Sequence, residues 1–292
     1  MSEELLAKVL DKPEDDKARA AYAAALHEAG DVRGEFIDLG LDLAKHKDQK
    51  TPAAKKLATR IAALHKKHAA KWAKPLRALG KGVKWEFKRG FVDRVEIEYP
   101  ADPRIAALND VFAVEPVTEL VVSHMNAAWW KSALASAGMR RVTKLVVLTL
   151  PPGQHGVVAA LGKADLPSLR ELRIGLLGDK HMEALGEVAP LHLKHLAIGA
   201  GGHSVSVGEK GLASLLGSPL AKQLDTLELC RTTITPRMAN AICATTLKRF
   251  SATTGEIDEV EAQLKARFKS NFVVEDEDSF DYLLYGTKGI SR

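Results

Sequence analysis

The chain has 292 residues, 46% of them hydrophobic and 27% charged. That composition is globular and excludes a fibrous or disordered protein, and the length allows one large domain or two ordinary ones. No apolar run reaches the roughly 18 residues of a membrane helix. The start, Met1-Ser-Glu-Glu-Leu5, lacks the basic and apolar regions of a secretory signal. Two cysteines, Cys230 and Cys243, cannot build a disulfide framework, so the expected location is cytoplasmic. The net charge of +5 is unevenly spread: −6 over residues 1–44, +13 over 45–90 and −2 over the rest. One cause is internal, an acidic helical segment docking on a basic one. Another is an electrostatic footprint for nucleic acid or a different polyanion, and a third is a merely solvated face.

In chain order, Leu5, Leu6, Val9 and Leu10 have helical spacing, and Asp11-Lys-Pro13 stops that run. Pro13 suits the first turn of a second helix, which Glu14, Asp15 and Asp16 favour through the macrodipole. This helix runs over 18–29 and ends at Gly30. A third is expected over Arg33–Lys45. Thr51-Pro52 opens a fourth, with Leu57, Ile61, Leu64 and Trp72 on its buried stripe and Lys55, Lys56, Lys66, Lys67 and Lys71 on its wet side. Gly80-Lys-Gly82 closes the helical region.

The words Leu5-Leu6-Ala-Lys-Val9-Leu10, Pro13-Glu-Asp-Asp16, Ala21-Tyr22 and Glu28-Ala-Gly30-Asp31-Val-Arg33-Gly34-Glu35-Phe36-Ile37 resemble the "repeat-companion" domain. That helical module is found at the N-terminus of planctomycete and myxobacterial proteins, often ahead of leucine-rich repeats. Ala24 and Ala25 stand where the family usually has an Asp-Trp pair. The resemblance covers about residues 1–45 and implies architecture rather than an activity.

A hexapeptide with apolar residues at positions one, four and six begins at Val92, Val117, Val142, Leu169, Leu193, Leu224 and, more weakly, Leu247. The successive spacings are 25, 25, 27, 24, 31 and 23 residues. Helix-like stretches separate the hexapeptides, over 127–137, 155–161, 180–188, 209–216 and 236–244. The chain therefore resembles a leucine-rich repeat protein. The resemblance implies an α/β solenoid with parallel strands on a concave side and helices outside, preceded by a small all-α domain. One such repeat cannot bury its own apolar face, and stacking makes a continuous core. The usual Asn or Cys of the turn is absent: Met125, Leu150, Leu177, Gly201, Thr232 and Gly255 stand there. The expected division is residues 1–84 helical, 85–255 solenoid of about seven repeats, and 256–292 a C-terminal cap. In that segment, with a partner-binding tail as the alternative to a cap, 256–269 reads as a helix, and Phe272-Val-Val274 and Tyr282-Leu-Leu-Tyr285 read as short strands, or a hairpin, around the acidic run Glu275-Asp-Glu-Asp278.

Catalytic constellations are not evident. Gly202-His203-Ser204-Val205-Ser206 lacks the closing glycine of a nucleophile elbow. Gly199-Ala-Gly201-Gly202 lacks the third glycine of a phosphate loop. His65 and His68 share a helix face among lysines and read as solvated. Cys230, just beyond a strand, reads as exposed. Of Trp129-Trp130, one must face away from the core unless something covers it.

Strand side chains alternate, so the residues flanking the inner anchors form an outward face. Its expected partner-binding residues are Glu119, Val121, Lys144, Val146, Leu148, Glu171, Arg173, His195 and Glu228. Val121, Val146 and Leu148 would form a small apolar patch with a charged rim, either open to a partner or covered by a loop or the cap. The leading expectation is a non-catalytic scaffold that binds a protein, with no cofactor, no metal, no membrane and no small-molecule substrate. The alternative is nucleic-acid or polyanion binding by segment 45–89 through Lys55, Lys56, Lys66, Lys67 and Lys71.

Overall fold

The computed structural model describes residues 2–98, 105–123, 125–149, 155–175, 178–187, 192–199, 207–253 and 257–275. The chain divides into two compact units, Met1–Glu119 and Leu120–Arg292.

The first unit starts with α1 (Ser2–Asp11), α2 (Asp16–Glu28), α3 (Arg33–Lys45) and α4 (Pro52–Trp72). Pro13, expected in the first turn of the second helix, lies in the turn ahead of α2, whose N-cap is Asp15. The Asp15 carboxylate accepts from the amides of Lys17 and Ala18, and the Thr51 hydroxyl accepts from that of Ala54. Gly30 ends α2 at φ +69°, where a side chain would be strained. A short α5 (Lys74–Arg77) leads to the antiparallel hairpin of β1 (Val83–Lys88) and β2 (Phe91–Ile97). Arg89 and Gly90 make its two-residue turn, both at positive φ (+50° and +81°), which suits the twist of a hairpin. Gly90 also lies against α3, since a Cβ there would fall 2.4 Å from Ile37 Cγ1.

One core of this unit joins Val9, Tyr22, Ala23, Leu26, Ile37, Leu41 and Phe91. Another joins Phe36, Leu64 and Trp72. Arg19 has no exposed surface. Its guanidinium donates to the carbonyls of Pro13 and Arg89 and lies 4.9 Å over the Phe91 ring. Burial, with the nearby Arg89 charge, lowers its pKa to about 10, so it stays cationic at neutral pH. A helix absent from the sequence reading, α6 (Ile105–Val114), buries Leu108, Val111 and Phe112. The hairpin and α6 thus belong to the same unit as the leading helices, where sequence divides the chain at residue 84. The segment Trp85-Glu-Phe87, at the start of the expected solenoid, lies in β1.

The chain enters the second unit within β3 (Glu119–Ser123). There follow α7 (Ala127–Leu134), β4 (Lys144–Thr149), α8 (His155–Lys163), β5 (Glu171–Gly175), α9 (Asp179–Gly186) and β6 (His195–Gly199). Then come α10 (Glu209–Gly217), β7 (Thr226–Cys230), α11 (Pro236–Cys243), β8 (Arg249–Thr253), α12 (Glu261–Phe268) and β9 (Phe272–Glu275). Strands β4 to β9 pair in parallel, each with the next in sequence.

Strand and helix alternate, as the hexapeptides predict, and each of β3 to β8 starts two residues into its hexapeptide. All three apolar anchors of the last five hexapeptides are buried, Leu169, Leu172 and Ile174 for example with no exposed surface. The residue ahead of these strands staples one repeat to the next. The carbonyl of Thr143 accepts from the amides of Arg170 and Glu171 at 2.8 and 3.0 Å. The carbonyls of Arg170, Lys194 and Asp225 each accept two amides of the following repeat in the same way. After β8, α12 and β9 continue the pattern, β9 pairing in parallel with β8. The expected strand at 282–285 lies outside the described residues, as do Leu150, Leu177, Gly201 and Gly255 of the turns and the glycine cluster at 201–202.

No helix among the described residues is long and apolar enough to cross a membrane.

Candidate partner-binding face

The parallel register puts one residue of each strand into each row of the face opposite the leucine anchors. The first row is Lys144, Glu171, His195, Thr226 and Arg249. The second is Val146, Arg173, Ala197, Glu228 and Ser251. The third runs through Gly175, Gly199 and Cys230. At Gly175 a Cβ would stand within 2.1 Å of the Leu148 carbonyl oxygen, so only glycine fits this close approach.

Burial rises from the first row to the third. The side chains of Lys144, Glu171 and His195 keep about a quarter of their surface exposed (24%, 25% and 24%), and Arg249 is exposed. In the second row Arg173 and Glu228 are buried and Val146 has no exposed surface. The expectation of an outward face therefore needs correction: only the first of the two outward positions in each strand reaches solvent. Val121, Val146 and Leu148 do come together, but as a buried cluster with Cys230, not as an exposed patch. Cys230, expected exposed, is buried for the same reason. Of the two tryptophans, both Trp129 and Trp130 are buried, with edge-to-face rings 5.3 Å apart.

Lys144, Glu171, Arg173, His195 and Glu228 of this face form one ionic network. The Arg173 Nε donates to Glu171 and its Nη1 to Glu228 at 3.2 Å. His195 Nε2 lies 2.9 Å from Glu228 Oε1, and Lys144 Nζ lies 3.9 Å from Glu171. Burial works to raise the Glu228 carboxyl, but the bond from His195 and the charges of Arg173 and His195 outweigh it. The carboxyl is held below its ordinary value of 4.5. A carboxyl with a lowered pKa in the folded state adds stability above its unfolded value and loses it as pH falls. Melting temperature is therefore expected to drop faster between pH 5 and pH 3 in the wild type than in Glu228→Gln, measured side by side. Parallel curves would remove this carboxylate from the network's energetics.

Glu119, the remaining residue expected on this face, belongs to the first unit, where it pairs with the Arg94 guanidinium, whose Nε lies 3.1 Å away. Arg94 also binds Glu86 and Glu96.

The basic set lies wholly on α4. Part of the charge segregation is internal. Arg60 forks onto Glu35, Lys71 Nζ lies 3.5 Å from Asp31, and Arg89 binds Glu14 and Asp16. Lys71 is thus paired. Lys55, Lys56, Lys66 and Lys67 are exposed and have no ion-pair partner among the described residues. His65 and His68 are not simply solvated: His65 packs on Phe36 and Phe87, and His68 stacks on Trp72 at 5.5 Å.

Among the described residues no group of three His, Cys, Asp or Glu side chains is placed to hold a metal ion. The face missed by sequence reasoning is an aromatic groove of the first unit, lined by Phe36, Ile61, His65, Trp85 and Phe87. Its residues lie on three elements far apart in sequence, and no local pattern joins them. No protein-family model matches the chain, and a search of the curated proteins finds no match.

Proposed function

We propose that this chain is a non-catalytic, intracellular scaffold of the leucine-rich-repeat kind, with a repeat-companion-like helical start, and that it holds a protein partner on the first-row side chains Lys144, Glu171, His195, Thr226 and Arg249. The observation that carries this reading is the ionic network behind the row. Arg173 and Glu228 are buried and bonded to Glu171 and His195, so these two rim side chains are held in position before any partner arrives. A preordered rim loses less entropy on association than a row of free chains. The row's mixed charges, Glu171 between Lys144 and His195 and Arg249 at the far end, favour a partner of complementary pattern and discriminate against others.

The test is capture from native cell extract by the immobilised full chain, with bound proteins identified by mass spectrometry. A Lys144→Glu/Arg249→Glu variant is expected to lose the partner and melt within a few degrees of the wild type. Undiminished capture of the same protein would move the binding surface elsewhere.

A second reading is favoured by the four unpaired lysines of α4, which would bind a polyanion. Each phosphate contact releases counterions, so four contacts predict a slope of log affinity against log salt of about −3 to −4 for nucleic acid. A flat salt dependence would exclude it.

A further inference from the structure

The aromatic groove and the unpaired lysines lie on one helix, and their juxtaposition specifies a ligand more closely than either alone. The groove has a volume of about 670 Å³ and lies between α3, α4 and β1. Phe36 and Phe87 form its aromatic wall, with ring centroids 5.5 Å apart in an edge-to-face arrangement. His65 meets Phe87 edge-on at 5.3 Å and is itself exposed. Trp85 stands two residues before Phe87 on the same side of β1 and is half-buried. On α4 the groove is lined by Ala58, Ile61, Ala62 and His65. Lys55 lies one turn before Ala58 and Lys66 one turn after Ala62, so both flank the rim.

The other charges nearby are already engaged. Glu86 binds Arg94, and Arg89 binds Glu14 and Asp16. The charge left for a ligand is therefore that of the lysines. Aromatic faces beside free lysines suit single-stranded nucleic acid, whose bases stack while its phosphates meet cations. A duplex hides the base faces that such a groove would grip, and a peptide has no phosphates for the lysines.

We propose that this groove binds single-stranded nucleic acid, with an unstacked base on Trp85 and His65 and the flanking phosphates on Lys55 and Lys66. The proposal rests on the polyanion reading of α4 and adds the base. The experiment is fluorescence anisotropy of the full chain at low salt with a labelled short oligodeoxythymidine. A duplex of equal length and inorganic polyphosphate serve as competitors. The single strand is expected to bind more tightly than the duplex. Trp85→Ala and His65→Ala are each expected to lower single-strand affinity about five-fold or more. Both should leave competition by polyphosphate unchanged, whereas a Lys55→Ala/Lys66→Ala variant weakens both ligands. His65 is exposed, so its variant keeps the fold and reads the groove even if Trp85→Ala is unstable. Aromatic variants that bind the single strand as the wild type does would overturn the groove and leave the polyanion reading standing. No binding to any of the three polyanions would overturn both.

Discussion

A Val121→Asp variant is expected to unfold the second unit rather than merely to lose a partner. Val121 has no exposed surface and packs with Val146, Leu148 and Cys230 in an apolar cluster. A carboxylate placed there loses its hydration and gains no cation from the cluster. The cost is about 4 kcal/mol or more, a large part of the stability of an ordinary domain. Val121→Ala removes only two methyl groups and is expected to cost about 1–2 kcal/mol. Urea denaturation followed by far-ultraviolet circular dichroism measures both. A fully stable Val121→Asp protein would mean that this cluster stands open to water, and the apolar patch would return as a binding surface. By contrast, reversal of Lys144 or Arg249 in the first row leaves the interior untouched, so capture and stability separate there.

The second large effect is expected at Glu115, in the first unit. Its carboxylate is 1% exposed and accepts two bonds from Arg33 Nη2, at 2.7 and 2.8 Å. It also accepts from the Val92 amide at 2.8 Å. Arg33 in turn lies 4.9 Å over the Phe91 ring and donates to the Gly90 carbonyl. One side chain thus ties α3 to the hairpin and to the end of α6. Removing one partner of a buried ion pair leaves the other charge uncompensated, so Glu115→Ala is expected to cost about 3–5 kcal/mol. Glu115→Gln keeps an acceptor for Val92 and is expected to cost about 1–3 kcal/mol. Hydrogen exchange read by mass spectrometry localises the effect, with faster exchange in peptides from residues 2–98. A loss below about 1 kcal/mol for the alanine variant would show that Arg33 is satisfied by Gly90 and Phe91 alone.

The two units differ in how far their own sequence explains them. In the second, every described strand–helix alternation was legible, because apolar residues at positions one, four and six mark a strand whose inner face must be buried. The rows of the face follow from the same period. What the pattern could not give is depth. Lys144 and Arg173 are two residues apart in the register, yet one reaches water and the other does not. Burial on a sheet face depends on what lies over it, and side-chain alternation carries no record of that. In the first unit, Asp15, Gly30 and Thr51-Pro52 placed helix ends closely, since capping is a local interaction. Helix α6 went unread because Ile105–Val114 is apolar on nearly all sides and lacks an amphipathic period.

By itself the sequence indicated α1 to α4 and the repeating strands and helices from β3 onward, because these rest on periodicity, caps and spacing within a few residues. Only the tertiary structure decided which charges are spent on one another and which remain. Glu35 reaches Arg60 across 25 residues and Arg173 reaches Glu228 across 55. It also assembled the groove, since Phe36, His65 and Trp85 meet only after three separate elements pack. Contacts of that kind are fixed by the closure of the chain in space, and their partners leave no mark on one another's neighbourhood in sequence.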